Sequence, residues 1–122
     1  MSVDERFKRG LELFNDEKFF ECHEVIEDLW LGTKGKYRDL YKGVIQAAVS
    51  LYHLKRGNMA GARALLGTST RYLAKYRSHA LGLNVEKLIN DLNLCFAEAE
   101  SSKSKRKNLL PKALVPKLAV HK

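Results

Sequence analysis

The chain has little of what breaks or cross-links a fold. It has two prolines in 122 residues, Pro111 and Pro116, both in the last dozen residues. No proline therefore interrupts a helix before that point. Its two cysteines, Cys22 and Cys95, are far apart and form no C-x-x-C pair. That leaves no disulfide framework, and it points to reduced thiols packed as small hydrophobes inside a cell. No apolar run approaches the roughly 20 residues that span a bilayer, so no membrane segment is expected. The opening MSVDERFKRG carries acids early and lacks the apolar stretch of a signal peptide, so a cytoplasmic location is expected. Strand-type alternation and internal repeats are also missing. The glycines of GTKG do not make a phosphate-binding loop, because G-x-x-x-x-G-K-[ST] is not there.

What is present describes a globular domain. The composition is 45% hydrophobic and 30% charged, enough apolar surface for one core in a chain of this length. The net charge of +8 is uneven. Seven of the 22 Lys/Arg and none of the 14 Asp/Glu lie in residues 101–122. The preceding part is thus almost neutral, and the basicity belongs to the C-terminal tail. A short basic tail is usually solvated and can contact nucleic acid or acidic lipid.

Apolar periodicity predicts five helices: about Val3 to Phe14, Lys18 to Leu31, Tyr37 to Lys55, Met59 to Ser78 and Val85 to Glu100. Gly57 suits a helix end, and Asn58 and Asn84 suit helix caps. GVIQAAVSLYHL is apolar nearly all round, which predicts a buried central third helix. The expected architecture is all-α: a compact single-domain bundle of about five helices over residues 1–100, with a basic, proline-containing tail over 101–122. SSKSKRK reads as a linker, and NLLPKALVPKLAV reads as an extended segment able to drape over the domain.

The second helix carries the chemistry. At 100° per residue, Phe19, Cys22, Val25, Ile26 and Leu29 share the core face. Glu21 and Asp28 fall on the wet side. His23 and Glu27, four apart, stack on one flank with Trp30 beside them. On the third helix Gly43, Gln46, Ser50 and His53 recur at helical spacing. Polar Gln46 and His53 in so apolar a helix need partners. This predicts one polar cluster of His23, Glu27, Gln46 and His53 between the two helices under Trp30, with Gly43 and Ser50 letting the backbones approach.

FNDEKFFECHEVIEDLW followed by GVIQAAVSLYHLKRGNMAGARALL resembles the domain-of-unknown-function family numbered 309, small all-helical proteins of bacteria, archaea and plastid-bearing organisms. The family pattern falls on Asn15, Phe19, Phe20, His23, Glu24, Glu27, Trp30, Gln46, His53, Gly57, Asn58, Gly61 and Ala62, and the resemblance covers about residues 7–80. Cys22 stands where the family more often has a small residue such as alanine. Members have been labelled predicted metal-dependent hydrolases, so the resemblance implies a hydrolytic metal site as one expectation.

The residues themselves leave several readings open. His23, Glu27 and His53 are candidate ligands for a divalent metal such as zinc, with Glu24 as candidate general base. Against this, zinc peptidase helices carry H-E-x-x-H, and Glu27 replaces the second histidine here. The alternative is a structural or interaction module whose cluster is scaffolding. A third reading is weak nucleic-acid binding, by the tail and by the basics of KGKYRDLYK, Arg63, Arg71, Lys75 and Arg77 interleaved with Tyr37, Tyr41, Tyr72 and Tyr76. Nucleophilic catalysis fits least: Cys22 diverges from His23 by about 100°, and nothing near Ser50 and His53 marks an oxyanion hole. Homo-oligomerisation stays open.

Overall fold

A computed structural model of the chain describes residues 3–101 and 108–118. Five α-helices dominate: α1 Glu5–Asn15, α2 Phe19–Leu31, α3 Arg38–Lys55, α4 Met59–Ala74 and α5 Val85–Ser101. The all-α expectation is met. Consecutive helices α1 to α4 pack side by side, with α3 between α2 and α4 and with α5 against α4.

Local chemistry accounts for the helix starts. The Asp4 side chain accepts from the Arg6 amide at 2.8 Å and caps α1. Asn58 accepts from Gly61 N and Asn84 from Lys87 N, both at 2.9 Å, so both expected asparagine caps are in place. Gly57 ends the α3 segment with φ of 78°, a conformation that costs glycine little.

The core runs through all five helices. Phe7 and Phe14 of α1, Phe19 and Ile26 of α2, and Leu40, Val44, Leu51 and Leu54 of α3 are fully buried. Two close approaches set the layering. A Cβ on Gly10 would stand 2.3 Å from Ile26 Cγ1, so α1 lies almost on the α2 side chain. A Cβ on Gly43 would stand 2.8 Å from Leu73 Cδ2 and Cγ. Ser69 Oγ donates to the Gly43 carbonyl at 2.7 Å. The close approach that Gly43 permits is therefore to α4, not to α2 as expected, and Ser50 turns its hydroxyl onto the Ala47 carbonyl at 2.7 Å.

The fourth helix is shorter than its periodicity suggests. It stops at Ala74, and a two-residue antiparallel pair follows: β1 His79–Ala80 with β2 Leu83–Asn84. Leu81 and Gly82 turn the hairpin with φ of 50° and 81°. Two consecutive positive φ values are the primed-turn geometry that matches strand twist. A leucine in the first turn position hides this signal, because Asn or Asp usually stands there.

The C-terminal segment 108–118 lies on the bundle. Leu110, Val115 and Leu118 are buried. Leu109 N donates to the Leu54 carbonyl at 2.9 Å, near the end of α3. Asn15, the last residue of α1, donates to the Leu118 carbonyl at 2.7 Å and accepts from the Leu118 amide at 2.6 Å. The expected linker lies, from residue 102 to 107, outside the described residues.

Candidate functional site

The α2 motif is built as its spacing predicts on one flank. His23 Nε2 lies 2.8 Å from Glu27 Oε2, with the His23 side chain 26% and the Glu27 side chain 45% exposed. Facing a carboxylate, Nε2 carries a hydrogen in either protonation state. Because Glu27 is nearly half in water, the pair contributes only about 0.3–0.5 kcal/mol, as for other i,i+4 pairs on helix surfaces. Glu21, Glu24 and Asp28 are exposed, and Asp28 accepts from Arg6 at 3.0 Å.

The remaining expected partners are not gathered around this pair. His53 Nδ1 lies 3.4 Å from Asn58 Nδ2, at the α3–α4 corner. A chain of ring contacts links the two imidazoles: Phe20 is 5.7 Å from His23 and 5.8 Å from Tyr52, and Tyr52 is 6.2 Å from His53, centroid to centroid. Gln46 Oε1 and His23 Nδ1 are buried without a hydrogen-bond partner. Unpaired buried polar atoms of this kind cost about 1–3 kcal/mol each. The α2–α3 seam thus carries polar atoms without forming the four-residue network the spacing suggested.

Trp30 departs from expectation too. Its ring does not cover a polar cluster. Arg38 Cζ lies 4.1 Å and Lys42 Nζ 4.4 Å from its centroid. Arg38 Nη1 also donates to the carbonyls of Trp30 at 3.0 Å and Thr33 at 2.9 Å. These carbonyls are at the C-terminal end of α2, where a cation is favourable.

A resident divalent metal does not fit these residues. Among the described residues no group of three or more His, Cys, Asp or Glu side chains is placed to hold an ion. His23 and Glu27 supply one adjacent pair, and His53 belongs to a different corner. The cysteines add no ligand. Both are buried, and burial pushes each thiol up to about 12, so neither offers a thiolate near neutral pH.

Outward, α2 presents a stripe that the sequence reading passed over. Phe20, Glu24, Glu27 and Leu31 recur at i, i+4, i+7 and i+11, which brings them onto one line. Phe20 is 49% and Leu31 67% exposed. With His23 and Asp28 they line a shallow cleft of about 290 Å³. A second cleft of about 400 Å³ adjoins at Phe20, where Glu17 and Glu21 face the cations Lys18, Lys55 and Arg56 beside Tyr52. The missed signal was in plain view: two large apolar residues at positions the periodicity assigns to water.

Comparison with known proteins places this site in a family context. Residues 7–65 match the family model described as Domain of unknown function (DUF309). The chain is 36% identical over 104 residues to the "Uncharacterized protein YpuF" of Bacillus subtilis (strain 168), a match covering 83% of this chain and 60% of that protein. It is 26% identical over 82 residues to an "Uncharacterized protein" of Aquifex aeolicus (strain VF5), covering 66% of this chain and 25% of that one. The chain thus spans 60% and 25% of the lengths of these two relatives. Through residues 7–65, which hold α2 and α3 entire, the chain matches the DUF309 family model.

Proposed function

We propose that the chain is a protein-interaction module whose contact face is the outer stripe of α2. The observation that carries this reading is the exposure of Phe20 and Leu31 at the two ends of a line whose middle is Glu24 and the His23–Glu27 pair. Large apolar side chains left in water around a shared cleft are characteristic of contact surfaces. The occupant that fits is a cationic amphipathic segment. Its apolar side chains would cover Phe20 and Leu31, and its lysines or arginines would meet Glu21, Glu24 and Glu27. On this surface His23 and Glu27 position each other, and the pair needs no third ligand. The Aquifex relative lends support, because the matching region is a quarter of a longer protein, as expected of a unit that works beside others.

The competing reading is metal-dependent hydrolysis at His23, Glu27 and His53 with Glu24 as general base. It would require His53 to leave Asn58 and join His23 and Glu27 in a three-ligand group, which is not formed among the described residues. The test is a calorimetric titration with a lysine-rich amphipathic helical peptide and its glutamate-substituted counterpart. The lysine peptide is expected to bind, and the Phe20→Ala/Leu31→Ala protein to lose that binding with its melting temperature nearly unchanged. Equal binding of both peptides, binding by neither, or binding indifferent to the double substitution would refute the proposal.

A further inference from the structure

We infer that the end of the bundle where α2 passes into α3 binds single-stranded nucleic acid through its phosphates, with Arg38 and Lys42 as the primary contacts. Two cations converge on the Trp30 ring there, at 4.1 and 4.4 Å from its centroid. Arg38 is held in place by the Trp30 and Thr33 carbonyls, both through Nη1. Carbonyl bonds fix a guanidinium without cancelling its charge. Among the described residues neither Arg38 nor Lys42 has a carboxylate within salt-bridge distance. The neighbouring acid, Asp39, is taken by Lys75. The result is a pre-oriented, uncancelled pair of cations one helical turn apart, the arrangement that suits successive phosphate oxygens.

The surroundings extend the same pattern. Lys36 lies 5.0 Å over the Tyr37 ring, and Lys75, its charge already met by Asp39, lies 5.6 Å over Tyr72. The Tyr76 hydroxyl donates to the Lys36 carbonyl at 2.6 Å, which ties the end of α4 to the α2–α3 loop. Residues separated in sequence thus meet at one end of the molecule, where cations alternate with half-buried rings. Ring faces with cations held beside them favour unpaired bases, which can be splayed onto them, over a duplex, whose bases are not free to stack. This surface is opposite in sign to the acidic stripe of α2, so the two contact faces need not compete. Charge alone would point instead to the tail basics.

Trp30 is the chain's one tryptophan, so its emission reports on this site and no other. The experiment titrates labelled oligothymidylate and oligouridylate into the full chain, following anisotropy and Trp30 emission together over a range of salt. The expected result is a Trp30 change with the same midpoint as the anisotropy. Lys42→Gln should weaken binding roughly tenfold and lower the salt slope by about 0.7, with an unchanged circular dichroism spectrum. Arg38→Gln/Lys42→Gln should weaken it further. Replacing Lys103, Lys105, Arg106 and Lys107 by glutamine should leave the Trp30 midpoint in place. Binding without a Trp30 response and insensitive to Lys42→Gln would overturn the proposal in favour of the tail. Binding to phosphatidylserine vesicles but to no oligonucleotide, or binding to neither, would also overturn it.

Discussion

Asn15 and Leu118, 103 residues apart in the chain, are joined by two hydrogen bonds through one carboxamide. The side chain donates to the Leu118 carbonyl at 2.7 Å and accepts from the Leu118 amide at 2.6 Å. A carboxamide used in this way stands in for a peptide group. It lets the end of α1 satisfy an extended backbone that has no strand partner. Asn15→Ala is therefore expected to destabilise the fold by about 1–3 kcal/mol, the cost of leaving both backbone groups unpaired. Urea denaturation checks the energy. Faster hydrogen exchange at Leu118 in the variant checks the cause, and a variant with unchanged exchange there would refute it.

Gly43 and Gly10 test the layering. Gly43→Ala puts a methyl 2.8 Å from Leu73 and 3.3 Å from the Leu73 backbone nitrogen. Overpacking of this sort costs about 1–3 kcal/mol. For Gly10→Ala the three nearest atoms are all of the Ile26 side chain. Combining Gly10→Ala with Ile26→Val, which shortens the side chain it meets, should recover part of its loss. Gly43→Ala has backbone in its way and should not be rescued by Leu73→Val to the same extent. Thermal melts of the four variants decide this.

The His23–Glu27 pair is close in space and modest in energy. A double-mutant cycle with His23→Ala and Glu27→Ala is expected to give a coupling of about 0.3–0.5 kcal/mol, because the carboxylate is nearly half exposed. Elemental mass spectrometry of the untagged protein should find substoichiometric zinc, manganese and iron, unchanged by His53→Ala. Stoichiometric metal lost in His53→Ala with the fold intact would restore the hydrolase reading.

Burial raises both cysteine thiols to about 12. In the unfolded chain they ionise near about 8.5. Above that pH the unfolded state sheds protons that the folded state keeps, so this contribution to stability is full below about 8.5 and is lost as pH rises towards about 12. The native protein should be inert to a disulfide reagent at pH 8 and should show two reactive thiols in guanidinium. A thiol that reacts in the native state would contradict the burial of Cys22 and Cys95.

The Asp4 cap gives the acid limb. Its hydrogen bonds from Arg6, side chain first and then backbone amide, hold its carboxyl below the usual range. The sign is that of a depressed acid: the stabilisation is present above the unfolded pKa near about 3.9 and is lost as pH falls through the folded value. Asp4→Ala should cost about 1 kcal/mol at neutral pH, and the difference from wild type should shrink in acid. A pH-independent difference would refute the cap.

Helix number and type were legible in the sequence because period and caps agreed. Asn58, Asn84 and Gly57 stand where they were expected, and so does the His23–Glu27 stack. What escaped was whatever depends on which neighbour a face meets. Periodicity put Gly43, Gln46, Ser50 and His53 on one side of α3, but it could not say that Gly43 packs on α4. Nor could it say that His53 would meet Asn58 while His23 met Glu27. Trp30 has the spacing to cover His23, yet its ring is claimed by cations from the next helix. The hairpin was hidden because Leu81 adopts a left-handed conformation that leucine rarely takes.

The most direct test of α2 as a contact face is backbone amide shift mapping of the isotope-labelled chain titrated with the lysine-rich amphipathic peptide. The account predicts saturable shifts confined to Phe20, Glu24, Glu27, Leu31 and their immediate neighbours, abolished by Phe20→Ala/Leu31→Ala. Shifts centred elsewhere on the bundle, or none at all, would contradict it.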